Sequence, residues 1–364
     1  MAKRLRSDRI LFVATLALVV FGLVMVFSAS AMLSSEQYDN AYMFLLRQLA
    51  WAVAGLAGML AVMRVDYHRY RHPAFIFLML SVTLALLVAV LFFDRSHNTH
   101  RWFRWGPLSF QPSELAKPVV ILFLAWFLER RSQSVNDLLY TLLPAGMVVG
   151  LVTALIVREP DLGTAAAILL TSAGLFFLAG LRLRYFAALA LAAVPALYWL
   201  VFRIPWRRDR VLAFLDPYAD PQGKGFQIIQ SLIAVGTGGL TGLGLMEGRQ
   251  KLFYLPAPHT DFIFAVVAEE LGLVGALAVV AGFGLLLWRG LRASLLAPDL
   301  FGRFLAAGLT MMIVGQAWIN ISVVLGMMPT KGIPLPFVSY GGSSLLFNLL
   351  AVGLLLNVTQ HSTE

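Results

Sequence analysis

The sequence of 364 residues is 59% hydrophobic and only 13% charged, and its mean hydropathy is +0.79. This composition excludes an ordinary soluble domain and indicates a membrane protein. The chain has no cysteine, which excludes disulfides, thiol nucleophiles and cysteine-ligated metal centres. Its net charge of +9 is better explained by Lys and Arg at helix ends than by nucleic-acid binding, so no nucleic-acid partner is predicted.

Apolar runs along the chain predict about ten transmembrane helices, because a bilayer core of roughly 30 Å needs about 20 apolar residues per helix. The predicted spans are Ile10–Met32, Phe44–Met63, Pro73–Phe93, Ser113–Glu129, Leu138–Val157, Leu162–Leu181, Phe186–Phe202, Asp261–Trp288, Phe304–Met328 and Val338–Val358. The first run is too long for a signal-peptide core, which is typically about 7–15 residues, and is predicted to be an uncleaved helix. The expected fold is an all-α polytopic membrane protein with a single membrane domain over residues 1–364.

Basic residues between the spans predict the orientation of the chain. With a cytoplasmic N-terminus, the positive-inside rule is satisfied by a set of arginines that all fall on the cytoplasmic side. They are Arg64, Arg69, Arg71, Arg130, Arg131, Arg182, Arg184, Arg289, Arg292 and Arg303. Both termini are then cytoplasmic, and one long extracytoplasmic loop, residues 203–260, joins helices 7 and 8. The short outer loop 94–112 is unusual because it carries Arg95, Arg101 and Arg104, which indicates that an anion is handled there.

An acid and a base lie inside the fourth predicted span. Glu114 and Lys117 are spaced at i and i+3 and therefore share one helix face. An ionisable group in a membrane helix costs a few kcal/mol or more unless it faces a polar partner. Two interpretations fit this pair: an internal ion pair that stabilises the helix, or a pair that holds an anionic substrate or positions a neighbouring acid.

Asp261 stands where the long outer loop enters the eighth predicted span. A structural explanation is available, since Thr260 is a suitable N-cap and an acid in the first helical turn interacts favourably with the helix dipole. A carboxylate at this position, beside His259 and facing outer arginines, also suits a general base that deprotonates a sugar hydroxyl. Farther along the span, Glu269 and Glu270 require a partner or a cavity for at least one of them, and their role stays open.

A glycine-rich stretch precedes Asp261 in the long loop. Residues 226–233 predict a short amphipathic helix, and the glycines of residues 236–244 follow it. These glycines match neither the phosphate-loop nor the dinucleotide-binding spacing. They predict loop flexibility or close helix packing instead.

Five stretches of the chain, taken in order, resemble the signatures of one membrane-protein family. They are Arg101-Trp102 with Phe110 to Lys117, Glu159 to Thr164, Gly225 to Gln227 with Gln230 to Leu232, His259 to Ala265 with Glu269 to Gly272, and Gly332 to Phe337 with Ser339 to Ser344. Through them the chain resembles the FtsW/RodA/SpoVE (SEDS) family over nearly its whole length, and its division-type members more than its elongation-type members. One departure is Arg158-Glu159, where Gln commonly precedes the Pro-Asp-Leu-Gly stretch.

The resemblance implies a peptidoglycan glycosyltransferase that polymerises lipid II into glycan strands. The reaction would take place at the outer face of the bacterial cytoplasmic (inner) membrane, in septal cell-wall synthesis during division. Asp261 matches the family's catalytic base. The substrate-binding residues implied by the matched motifs are Glu114, Lys117, Arg101, Arg210, Gln227, Ser231, His259 and Ser343, with Arg101 and Arg210 as pyrophosphate contacts.

The implied reaction is an inverting transfer in which an acceptor hydroxyl displaces a lipid pyrophosphate, and a groove between helices would hold the lipid tails. A divalent cation, Mg²⁺ or Mn²⁺, is expected to help with the leaving-group charge, and no organic cofactor is expected. The expected protein partners are a single-span class B penicillin-binding protein and other divisome or elongasome membrane proteins. The alternatives are an elongation-type polymerase, a lipid II flippase and a scaffold for the transpeptidase. The lack of a detectable internal repeat weakens the flippase.

Overall fold

The computed structural model describes residues 7–93, 100–105, 108–252 and 254–362, and helices dominate it. The helices in chain order are α1 (Arg9–Tyr38), α2 (Met43–Met63), α3 (Pro73–Phe93), α4 (Pro112–Arg130), α5 (Leu143–Arg158), α6 (Leu162–Leu178), α7 (Leu183–Phe202), α8 (Pro205–Leu215), α9 (Phe226–Thr237), α10 (Ile263–Leu295), α11 (Leu300–Val324) and α12 (Gly342–His361). A π-helical turn, Leu138–Leu142, leads directly into α5. Each of the ten predicted spans coincides with a helix.

Seven segments of the described chain are long and apolar enough to cross a membrane by length and composition: α1, α2, α3, α10, α11, α12, and α5 with its π-helical turn. The other predicted spans correspond to α4, α6 and α7, and their crossing of the membrane stays a prediction. The helices differ from the predicted spans mainly at their ends. α1 continues to Tyr38, whereas α10 begins only at Ile263.

The two ends of the described chain, near Asp8 and Thr359, lie at one end of the bundle, which we call the inner end. The Asp8 N–H donates to Thr359 Oγ1 at 3.1 Å, and the Asp8 carboxylate pairs with Arg289 at 2.5 Å. Arg71 pairs with Glu129 at 2.9 Å where the ends of α3 and α4 meet. The α2–α3 connection and the C-terminal ends of α4 and α10, all predicted to be cytoplasmic, therefore lie at the same end as Asp8 and Thr359. The other end, which carries Asp261, is called the outer end.

The centre of the bundle is formed by α11 and α12. In the most apolar stretch of each helix, 72% of the residues of α11 and 78% of those of α12 are buried, compared with 22% in α2. α4 is also buried along almost its whole length and packs on α11. The surrounding helices keep apolar side chains exposed, as expected for surfaces that face lipid.

The glycine-rich stretch of residues 236–244 packs against a break in α10. Gly272 interrupts the helix with φ 63° and ψ −160°, and the N–H groups of Leu243 and Leu273 bond across to Glu269 O and Gly239 O at 3.0 and 2.9 Å. A Cβ atom on Gly242 would lie 2.1 Å from the Glu270 carbonyl oxygen. Of the two predicted explanations for these glycines, the structure therefore shows close backbone packing.

A β-hairpin and two helices, α8 and α9, lie in the described outer connections. The strands β1 (Phe103–Trp105) and β2 (Leu108–Phe110) form an antiparallel hairpin, a small departure from an all-α chain. Arg95 of the same connection lies outside the described residues. The long loop 203–260 contains α8 and the predicted amphipathic helix, which is α9 and buries Ile228 and Ala234 on one face.

Candidate active site at the outer end of the bundle

Asp261 lies just before α10, at the point where the long loop ends. Phe262 occupies the N-cap position without a side-chain cap, and the Thr260 hydroxyl donates to Ala257 O at 3.3 Å. The prediction that Thr260 caps the helix, with Asp261 in its first turn, is therefore wrong. The Asp261 carboxylate is partly exposed and accepts no hydrogen bond from the described residues. Helix capping and a favourable interaction with the helix dipole therefore do not explain why an acid stands at this position.

The backbone at Asp261 is held by a residue that the sequence motifs did not single out. The Asn320 amide of α11 donates to Asp261 O at 2.8 Å and to Ile333 O at 2.7 Å. Asn320 is 1% exposed. It follows Gln316 by one helical turn, so two buried amides share one face of an apolar helix, and this spacing was a usable signal.

The surroundings of Asp261 shift its proton affinity. Burial raises the pKa of Asp261 to about 6, while Arg210 and Arg101 oppose this rise and Asp161 adds to it. A carboxylate with this pKa is mostly ionised near neutral pH and is more basic than an ordinary aspartate. These are the properties that a general base needs.

Asp161 and Arg101 tie the outer connections together next to Asp261. The Asp161 carboxylate accepts from the N–H and the hydroxyl of Thr164 at 3.1 and 2.7 Å, and from the Gln111 amide at 3.2 Å. Arg101 donates to the backbone carbonyls of Glu159 and Pro160 at 2.8 and 2.5 Å. The predicted pyrophosphate contact Arg101 is thus also a clamp on the turn between α5 and α6.

Glu159 is the departure from the family motif, and it is fully buried. Neither of its carboxylate oxygens has a hydrogen-bond partner within the described part of the chain. Burial raises the pKa of Glu159 to about 9, and the neighbouring Asp161 raises it further while Arg101 lowers it. Glu159 is therefore protonated at neutral pH and adds no negative charge beside Asp261.

Two basic residues complete the group that we call the outer cluster: Asp161, Asp261, Arg101, Arg210 and Lys331. Arg210 of α8 lies over the ring of Trp206 and donates to Thr330 O at 3.4 Å. Burial lowers the pKa of Lys331, and Asp161 and Arg210 lie close enough to act on it electrostatically.

The next residue after Lys331 allows a close approach to the carboxylate of Asp261. A Cβ atom on Gly332 would lie 2.9 Å from Asp261 Oδ2. The segment after α11 therefore lies directly against the acid. The outer cluster thus combines one reactive acid with cations that suit a pyrophosphate.

The predicted pair Glu114 and Lys117 is buried inside the bundle and reaches the outer cluster only indirectly. Lys117 Nζ lies 2.8 Å from Glu114 Oε2 and donates to Gln316 Oε1 at 2.6 Å. Gln316 Nε2 donates to Pro334 O at 2.8 Å. The pair therefore supports the segment that carries Lys331.

The four remaining predicted substrate contacts fall into two groups. His259 and Ser343 lie near the outer cluster: Tyr340 N donates to His259 O at 2.9 Å, and Ser343 Oγ accepts from Gln111 N at 3.2 Å. Burial lowers the pKa of His259 to about 4, so its ring is neutral. Ser231 instead donates to Val324 O at 2.7 Å, and Gln227 makes no side-chain hydrogen bond to any described residue. Substrate binding by these four residues stays a prediction.

A second acidic site lies at the break in α10, and we call it the Glu270 network. The Glu270 carboxylate accepts from Ser28 Oγ at 2.6 Å, from Met246 N at 3.1 Å and from Lys251 Nζ at 2.6 Å. The adjacent Glu269 accepts from Arg249 N at 2.8 Å and from Gln250 N at 3.1 Å. Both acids, which the sequence left unexplained, hold the loop that leads to Asp261.

Three acids near Asp261 are the candidates for holding Mg²⁺ or Mn²⁺ at the outer end. The side-chain oxygens of Asp161, Asp261 and Glu159 do not come together within 4.8 Å in the described structure. Asp161 is already used by three donors and Glu159 is sealed from solvent. Among these three acids, only Asp261 offers an accessible carboxylate. This donor set fits an ion that takes one protein carboxylate and completes its shell with phosphate oxygens and water.

An apolar groove of about 680 Å³ lies between α1 and α10 and is lined by Val13, Leu18, Phe21 and Val279. It has Arg9 at its rim, near the inner end. A groove between helices was expected to hold the lipid tails, and its place in the structure stays a prediction.

Known proteins similar to this chain share one family. Residues 8–364 match the family model FtsW/RodA/SpoVE, described as "Cell cycle protein". The chain is 42% identical over 355 residues to the probable peptidoglycan glycosyltransferase FtsW of Geobacter metallireducens, with 97% of this chain and 95% of the relative covered. It is 43% identical over 361 residues to stage V sporulation protein E of Bacillus subtilis, with 99% of both covered.

Solved structures agree with the sequence comparison. One similar chain, described under the structural coordination of polymerization and crosslinking by a peptidoglycan synthase complex, has a TM-score of 0.80 and 34% identity over 98% of both chains. The rod shape determining protein RodA of Thermus thermophilus has a TM-score of 0.72 and 30% identity over 99% of both chains. The helical architecture is therefore shared along the whole length.

Proposed function

The chain belongs to the FtsW/RodA/SpoVE family, and we propose that it polymerises lipid II with Asp261 as the general base. It is a multi-pass protein of the bacterial inner membrane and a peptidoglycan glycosyltransferase. The observation that carries the proposal is the Asp261 carboxylate. It is partly exposed, free of hydrogen bonds from the described residues, raised in pKa to about 6, and flanked by Arg210 and Arg101.

The proposed step is a displacement with inversion at the anomeric carbon of the donor sugar. Asp261 takes the proton of the acceptor hydroxyl while that oxygen forms its bond to the anomeric carbon. The bond from this carbon to the pyrophosphate oxygen breaks, and its electron pair leaves with the lipid pyrophosphate. Asp261 then gives its proton to solvent. The base needs to be ionised beforehand, which a pKa of about 6 allows at neutral pH.

The cations of the outer cluster are proposed to stabilise the leaving pyrophosphate. Arg210 acts electrostatically on Asp261, and Lys331 interacts electrostatically with Asp161 and Arg210, so both cations lie close to the two acids. Preorganised positive charge aimed at a developing negative charge is a large contribution to catalysis. A divalent cation, if one arrives with the pyrophosphate, would supply further neutralisation through the Asp261 side of the cluster.

The pair Glu114 and Lys117 is proposed to position the site, because both side chains are nearly sealed from solvent, at 3% and 4% exposed. Its route to the site runs through Gln316 to Pro334. Asn320 of the same helix holds Asp261 and Ile333. A shift of α4 against α11 would therefore displace both the base and the segment that carries Lys331.

We place the activity in septal synthesis during division and propose a class B penicillin-binding protein as partner. The relative named FtsW supports the division role, and the neighbour in a peptidoglycan synthase complex supports assembly with a second protein. An elongation-type role is the alternative, since RodA shares the architecture. Depletion in the source cell separates them: filaments with blocked septa support division, and rounded cells contradict it.

The test of the activity is polymerisation of purified lipid II in detergent by the chain with its co-purified partner. Wild type is compared with Asp261→Asn, which keeps the size of the side chain but cannot accept the proton. Long strands from wild type alone support the proposal. Equal strands from both variants contradict Asp261 as the base. No strands from folded, partner-bound wild type would favour a flippase or a scaffold.

A further inference from the structure

A cluster of two histidines and an aspartate lies at the inner end, opposite the outer cluster. Asp66 and His68 belong to the connection between α2 and α3, and His361 is the last residue of α12. His68 Nδ1 lies 2.6 Å from Asp66 Oδ1, and His361 Nε2 lies 3.7 Å from Asp66 Oδ2. One ligand atom from each residue falls within 4.8 Å of the others. Nothing in the proposed polymerase reaction uses this group, which we call the inner histidine cluster.

Each imidazole ring has its other nitrogen engaged by a fixed oxygen. His361 Nδ1 lies 3.0 Å from Asn357 O, and since a carbonyl only accepts, this nitrogen carries the hydrogen. His68 Nε2 lies 2.8 Å from Asp299 Oδ2, which also accepts from the Tyr67 hydroxyl at 3.0 Å. When neutral rings donate at these two positions, the free lone pairs of both point toward Asp66.

This arrangement of outer partners is the one that orients histidine ligands in metal sites. A metal-bound histidine donates its other N–H to a carboxylate or a backbone carbonyl, which fixes the tautomer and the ring direction. Here the carboxylate is that of Asp299 and the carbonyl is that of Asn357. A metal ion between the two nitrogens and the carboxylate would bind both lone pairs and an Asp66 oxygen at once.

The backbone that carries the cluster is held independently of any ion. The Asn357 amide donates to Met63 O and Val65 O at 2.9 and 2.8 Å and accepts from Tyr67 N at 2.9 Å. Tyr67 is fully buried and stacks on Phe301. The ligands from the α2–α3 connection and from α12 are thus preorganised, which favours binding.

We propose that the inner histidine cluster binds a first-row divalent metal ion, with Zn²⁺ as the preferred one. The ligands are His68 Nδ1, His361 Nε2 and one Asp66 oxygen, with water in the fourth position. Tetrahedral zinc places such donors about 3.3 Å apart. The observed 2.6 Å from His68 Nδ1 ends on Asp66 Oδ1 and the 3.7 Å from His361 Nε2 ends on Asp66 Oδ2, so zinc binding turns one oxygen of the exposed Asp66 carboxylate toward both nitrogens. The side chains are partly exposed, so the ion can enter. Its effect is to fasten the end of α12 to the α2–α3 connection.

The test is zinc binding to the full-length chain in detergent, without a histidine tag and stripped of metal beforehand. Calorimetry with ZnCl₂ is expected to give one ion per chain, and Co²⁺ is expected to give the visible absorption of a four-coordinate site. His68→Ala and His361→Ala each lower the affinity by about tenfold or more. His72→Ala is the matched control, because His72 is exposed in the same connection, and it binds zinc as wild type does.

Three results would overturn the proposal. They are a wild-type chain that takes up no zinc, a four-coordinate cobalt spectrum that persists in both histidine variants, and an equal loss of affinity in His72→Ala. A wild-type chain that takes up no zinc contradicts the proposal even when a variant fails to fold. His361→Gln provides a milder replacement if the alanine variant is unstable.

Discussion

Asp261 and Glu270 lie close together along the same stretch of chain, but the structure treats the two acids differently. Glu270 is fully buried, and its carboxylate oxygens accept hydrogen bonds from Ser28 Oγ, Met246 N and Lys251 Nζ. Asp261 receives no hydrogen bond from the described residues and keeps partial access to solvent. A carboxylate whose lone pairs are all satisfied is a structural anchor, whereas one that is desolvated yet unpaired is available for proton transfer. Hydrogen bonding, more than burial, separates their roles.

The largest effect is expected at the reactive acid. Asp261→Asn should lower the polymerisation rate by about 10²–10⁴-fold, the usual contribution of general base catalysis. The unfolding temperature should stay near that of wild type, because the carboxylate makes no hydrogen bond to the described residues. Gel analysis of glycan strands and thermal unfolding measure the two quantities. A large fall in unfolding temperature would show that Asp261 is structural, like Glu270.

The opposite pattern is expected at the anchor. Lys251→Met removes the cation 2.6 Å from Glu270 and leaves a buried charge, which should destabilise the chain by about 3–5 kcal/mol. Denaturant unfolding in detergent measures this free energy. The double variant Lys251→Met, Glu270→Gln is the control and should recover part of the loss. Wild-type stability in the single variant would remove the distinction between the two acids.

The third prediction concerns the buried pair Glu114 and Lys117, and asks whether this structural ion pair also affects catalysis by Asp261. The double variant Glu114→Leu, Lys117→Met removes both charges together and should stay within about 1 kcal/mol of wild-type stability. Its polymerisation rate should fall by about 10–100-fold, since small misplacements of reacting groups have effects of this size. Strand synthesis at matched protein folding checks this. A full wild-type rate would reduce the pair to a purely structural role.

The smallest effects are expected in the pH dependence of the rate. With a pKa of about 6 for Asp261, the rate should be half-maximal near pH 6 and should fall about tenfold per pH unit below it. Arg210→Gln removes a cation that lowers the pKa of Asp261, so the acidic limb of the pH–rate profile should move to higher pH. Asp161→Asn removes an anion that raises the pKa of Asp261, so the acidic limb of this profile should move to lower pH.

The positions of these two acid limbs are compared at each variant's own maximal rate, which separates the shift from any loss of pyrophosphate binding. Shifts in the same direction for both variants would contradict Asp261 as the titrating group. The Asp161→Asn side chain still accepts from Thr164 N, so the start of α6 is expected to be kept.

The helices were predictable because apolar length is read directly from the sequence. The predicted span Pro73–Phe93 matches α3 at both ends. The start of α10 was misplaced, since Thr260 and Asp261 have good capping chemistry while the contact of Asn320 with Asp261 O holds the chain in a different conformation. The hairpin of β1 and β2 was also missed, because strands this short leave no periodic signal.

The candidate site was predictable in part, for a different reason. Family motifs pointed to Asp261, Arg101 and Arg210, and the structure brings these near one another. The same motifs also included Ser231, whose hydroxyl donates to Val324 O and whose contact with the substrate stays a prediction. A shared motif preserves folding contacts as well as chemical ones, so it cannot sort one from the other.

The sequence by itself determined the membrane class, the helical segments, the family and the identity of the one acid at the entrance to α10. These depend on composition, apolar length and local order, which the chain carries without its partners. Only the tertiary structure decided that Glu270 is neutralised by Lys251, that Lys117 reaches Pro334 through Gln316, and that His361 meets His68 at the inner end. Each of these depends on which distant side chains supply hydrogen bonds and charge, and such pairings exist only after the helices have packed.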